Sequence, residues 1–126
     1  PAQDDNLLVL QGERFVDVYC PKLQSLASFI VTPDKVYKNN KLYHDAAAMI
    51  VWPAGIFHRI VSGKEGSISV NFASRASSFD LDDNFNVYDL DVTTGSSRLI
   101  RDGKDDQPDL AYVQTDSVLK EILSVR

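Results

Sequence analysis

The chain is predicted to be all-β, and three observations carry that expectation. Short runs rich in β-branched and aromatic residues recur along most of its length. Turn-forming residues separate them, at Gly12, Pro33, Asn39-Asn40, Pro53-Ala54-Gly55 and Gly95. Where the runs are clearest, as in Asn86-Val87-Tyr88-Asp89-Leu90-Asp91-Val92, apolar and polar residues alternate with period two.

Taken in order, residues 7–13 read as a strand ending in a turn, and residues 14–20 as its returning partner, a hairpin with Gly12 at its tip. Residues 22–32 are ambiguous between a helical turn and a strand. The extended reading is taken for 28–32, stopped by Pro33-Asp34. Residues 35–38 form a further short strand, and Asn39-Asn40 a turn, because Asn tolerates the left-handed region. Residues 47–75 organise the rest. The apolar run Met49-Ile50-Val51-Trp52 meets the turn Pro53-Ala54-Gly55, where Pro presets φ and Gly accepts a positive one. A strand then opens with His58, a short hairpin follows, and residues 67–73 form the next strand. Val51, Trp52, Ile60, Val70 and Phe72 are the expected core. Residues 86–92 and 97–101 form a second hairpin about Gly95, and residues 102–109 a charged loop. Val118, Leu119, Ile122 and Leu123 fall on one face of a C-terminal helix capped by Thr115 or Asp116. Many short strands and one terminal helix suit a β-barrel or jelly roll.

Composition bounds the function. At 126 residues the chain is a single domain, 1–126. Its 13 basic against 18 acidic residues give a net charge of −5, which argues against nucleic acid as a partner. No apolar run reaches the roughly 20 residues of a membrane span, and no charged-then-apolar opening marks a signal peptide. The single cysteine, Cys20, excludes an internal disulfide; it reads as a buried, inert thiol and fits a reducing, cytoplasmic setting.

The candidate chemistry centres on His58. The spacing Pro53, Gly55, His58 between two apolar strands resembles the second motif of the cupin family. Asp5 and Gly12 resemble the end of that family's first motif, with Asp in place of the usual Glu. The H-x-H pair of that motif would fall at or before Pro1, and Ala47-Ala48 stand where a Gly-Asp pair is common. The resemblance covers roughly residues 5–75; the hairpin and helix of 84–126 lie beyond it. It implies a jelly-roll β-barrel with His58 facing an internal cavity, as a catalytic group or, with Asp5, as a metal ligand. Neutral imidazole suits a divalent transition metal, and the cofactor is otherwise unspecified. His44 and His58 are the two histidines present, so a three-His site is excluded, and an Asp5–His58 pair is a ligand short.

Tyr43 and Trp52 are candidate ligand contacts. Alternation from an inward His58 also turns Ile60 and Ser62 inward and Arg59 outward. The expected function is a small cupin that binds a small molecule in its barrel, either as a metal-dependent enzyme of unspecified substrate or as a non-catalytic binding or sensory module. A homodimer is expected to cover Val87, Leu99, Ile100 and the apolar stripe at 118–123.

Overall fold

The computed structural model describes residues 3–80 and 84–106. Nine strands are present there: β1 Gln3–Cys20, β2 Ser25–Val31, β3 Val36–Lys38, β4 Lys41–His44, β5 Met49–Trp52, β6 Phe57–Asn71, β7 Ser74–Arg75, β8 Val87–Leu90 and β9 Ser97–Arg101. A 3-10 turn follows at Gly103–Asp106. The first seven form one sheet in the order β4-β3-β2-β1-β5, with β6 and β7 also paired to β1; β8 and β9 form a separate hairpin. Every pairing is antiparallel. The expected C-terminal helix lies outside the described residues. No helix among the described residues is long and apolar enough to cross a membrane.

β1 is the spine. It runs unbroken for 18 residues, so the hairpin expected at Gly12 does not form. Gly12 does take a positive φ of 70°, but inside a bulge and not in a turn. A glycine that accepts φ > 0 serves a bulge as well as a hairpin tip, so composition alone does not separate the two. β6 shows the complement of this bulge. Gly12 pairs with Ser67 and Arg14 with Ser62, so two steps along β1 face five along β6. Residues 63–66 are therefore an excursion from the ladder. The hydroxyls of Ser62 and Ser67, 2.9 Å apart, close its neck. The expected hairpin at this point does not reverse the chain, because both flanks pair with the same neighbour.

The bulges also let one strand keep one face inward. Asp5, Leu7 and Val9 are buried before them; Val16 is buried and Val18 half-buried after them, so the inward parity switches from odd to even. The sheet curls as a result. Trp52 pairs with Asp5, and His58 pairs with Val18, thirteen positions further along β1. A straight strand would hold those two points about 43 Å apart. Yet the Trp52 and His58 rings lie 5.1 Å apart, centroid to centroid. The result is a curled half-barrel sheet. Its concave side holds the core: Leu7, Val9, Val16, Val31, Val36 and Trp52, with Val18, Phe29, Ala48, Ile50, Ile56 and Ile60 packed against them. Burying each Val or Leu contributes roughly 1.5–3 kcal/mol.

The convex side corrects three of the five expected core residues. Trp52 is buried and Ile60 packs on the core, but Val51 is 58 % exposed, Val70 36 % and Phe72 57 %. Adjacent residues on a strand point to opposite faces, so Val51 and Trp52 cannot both face inward. At its other end the convex side is covered. Tyr19 is buried there, with its hydroxyl against Gly95, and Phe57 meets Tyr88 edge-on at 5.4 Å, which seats the β8–β9 hairpin. Cys20, expected to be buried, is partly exposed.

Candidate ligand-binding face

The turn between β5 and β6 delivers the central pair of side chains. Gly55 takes φ 83°, as the Pro-x-Gly reading expects. Asp4 fixes the turn to β1, accepting a 2.8 Å hydrogen bond from the Ala54 backbone N–H at Oδ1. Trp52 and His58 then meet on the concave side with their rings tilted at 43°. Trp52 is 4 % exposed, and its indole Nε1–H is buried without a hydrogen-bond partner. His58 is exposed, so its imidazole is not enclosed in a cavity; Trp52 backs it and the rest faces outward.

Asp5 is buried beside this pair, directly across from Trp52. Its Oδ1 accepts hydrogen bonds from Gln3 Nε2 at 2.7 Å and Asn71 Nδ2 at 2.6 Å. Asn71 in turn accepts from the Asn6 backbone N–H at Oδ1. Two amide donors thus hold the carboxylate oxygen that the sequence offers as a metal ligand. Among the described residues no group of three His, Cys, Asp or Glu side chains is placed to hold a metal ion. The described residues alone do not supply a mononuclear metal centre, which needs three or four converging ligands.

The remaining candidates are spread out. Tyr43 is 69 % exposed on β4; Lys38 stacks between its ring and that of Phe29, with Nζ 5.7 and 5.9 Å from the two centroids. Ser62 sits at the neck of the β6 excursion, opposite Arg14. Arg59 faces the convex side, as alternation requires, and forks onto Asp17 with Nε at 3.2 Å and Nη2 at 2.6 Å. A hydrogen bond from Ser28 Oγ, opposed by partial burial and aided by Arg59, holds the Asp17 carboxyl below its ordinary range. The structure therefore joins Trp52 to His58 and places Asp5 behind them, while Tyr43 and Ser62 stand apart. Sequence reading missed Asn71 and Arg14. The signal for Arg14 is its parity: it precedes Val16 and Val18 by even steps and so shares their face.

Fold and site together define an all-β protein with a curled half-barrel sheet and an aromatic–imidazole pair on its concave side. No protein-family model, curated protein or solved structure matches the chain.

Proposed function

We propose that the protein binds a small molecule on the concave side of its half-barrel, in a cupin-like jelly roll that works without a metal. The observation that carries this reading is the Trp52–His58 pair. The buried indole backs the imidazole as an apolar wall, and the imidazole offers hydrogen bonds from an accessible ring. Asp5, held by Gln3 and Asn71, stiffens the strand behind them. His58 is the residue in contact with the ligand and a group placed for proton transfer, should binding lead to chemistry. The test uses Trp52, the sole tryptophan. A metabolite library screened by its fluorescence should yield a compound with a saturable change. His58→Ala should weaken that compound at least tenfold at unchanged melting temperature. A library that leaves the emission flat, or an equal response in the variant, contradicts the reading.

Self-association belongs to the same proposal. On the convex side Met49, Leu8 and Val70 form one cross-strand row, and Val51 and Phe72 flank Asn6 in the next. Leu10, Met49, Val51, Ile68, Val70 and Phe72 are each at least a third exposed, and a second copy would cover them with the same patch. Leu99 and Ile100 of the hairpin are exposed as well.

A further inference from the structure

Backbone register draws Arg14 onto the concave side. It pairs with Val31 on one side and Ser62 on the other, and Val31 pairs with Val36, which pairs with His44. Directly paired residues share a face, so Ser62, Arg14, Val31, Val36 and His44 form one row across five strands. Val31 and Val36 are its buried floor. Arg14 Nε is itself buried and has no hydrogen-bond partner. Arg14 also makes no ion pair with any described residue.

A partly desolvated guanidinium without a counter-charge is unfavourable, and a bound anion would relieve that cost. The surroundings agree in sign. Lys38 lies one row along over Phe29 and Tyr43, and His44 ends the row. The nearby acids are otherwise engaged or turned away. Asp45 faces Lys35 at 3.9 Å, and Glu13 lies over Gly63 on the excursion. Ser62 pairs with Arg14 across the ladder, and its hydroxyl is hydrogen-bonded to that of Ser67 at 2.9 Å, which leaves one of the two O–H groups to donate elsewhere.

We infer that this end of the concave side, at Arg14, Ser62 and Ser67, receives an oxyanion group of the bound small molecule. Nε is buried, so the two terminal nitrogens of the guanidinium form the two-pronged edge that matches a phosphate or carboxylate. The inference rests on the binding role proposed for the concave side, and it adds the chemical class of the ligand.

The experiment titrates the full chain with inorganic phosphate in one arm and succinate in the other. Chloride holds the ionic strength constant, so that screening does not imitate binding. The Arg14 Nε–Hε resonance should shift saturably in one arm, which names the oxyanion. Melting temperature should rise on the order of 10 °C at a hundredfold excess over Kd. Arg14→Met should melt no lower than the parent without anion, having lost an uncompensated charge, and should show no rise with either probe. A linear, unsaturable drift of the Arg14 resonance in both arms overturns the inference. So does an equal rise in parent and variant. Should Arg14→Met fail to fold, the resonance of the parent protein still decides. An anion site that stands while no compound perturbs Trp52 would sink the ring-pair reading alone. A Trp52 ligand with a silent Arg14 would sink only the oxyanion.

Discussion

Replacing Gly12 by alanine tests how the half-barrel is made. Gly12 sits at φ 70°, and a Cβ added there would lie 2.3 Å from the Gly66 carbonyl oxygen, a backbone atom that cannot rotate away. An L-residue held in the left-handed region costs roughly 1–2 kcal/mol. Relieving the contact requires the strands to separate by about 1 Å, at a further loss of about 1 kcal/mol from the ladder hydrogen bonds there. Gly12→Ala should therefore destabilise by about 2–3 kcal/mol. Gly66 is an internal control. It has φ 80°, but nothing lies within 4 Å of its added Cβ, so Gly66→Ala carries the conformational cost alone, about 1–2 kcal/mol. Urea unfolding of the two variants against the parent, with equal m-values, gives both numbers. If the two variants lose the same stability, the close approach of β1 to the excursion is not what shapes the sheet. The curl would then need another cause.

Other outcomes follow from the same geometry. Trp52→Ala should cost about 3–5 kcal/mol, because the ring is buried in the core; an unchanged melting temperature would remove it from the core. Asp17 has a carboxyl pKa below its ordinary 3.8. Its contribution is thus present above that value and lost as pH falls through the folded value. Asp17→Asn should flatten acid unfolding below about pH 4 while changing stability near neutrality by less than about 1 kcal/mol, since Arg59 is largely exposed. A steeper acid loss in the variant would reverse the sign of this argument. Light scattering at micromolar concentration should give twice the 14.0 kDa chain mass, and Val51→Lys should restore the single mass. A parent that stays at the single mass as concentration rises removes the dimer.

Local chemistry was legible in the sequence, and long-range register was not. The turn at Gly55, the turn at Asn39-Asn40 with φ 49° and 64°, and the β8–β9 hairpin all follow from residues that favour those conformations in any context. Alternation from His58 assigns Ile60 inward and Arg59 outward without further information. Gly12 and residues 63–66 show where such reading ends. A bulge and a hairpin tip ask for the same glycine, and which one forms is decided by the partner strand. The same limit explains Val51 and Val70, which are apolar yet stand exposed on the convex side. Asp5 matched a motif by spacing, but its carboxylate is held by Asn71, sixty-six residues away. No spacing rule contains that partner.

The central claim is that the concave side is the binding face, and the indole N–H of Trp52 reports on it directly. As the sole tryptophan, it gives one indole cross-peak in a proton–nitrogen NMR spectrum. At saturation with a ligand found in the library screen, that peak should shift together with the backbone amides of His58, Val18 and Ile60. The amides of Val51, Met49 and Val70 on the convex side should stay in place. A footprint on Val51, Val70 or the β8–β9 hairpin, with the indole peak unmoved, would contradict the account.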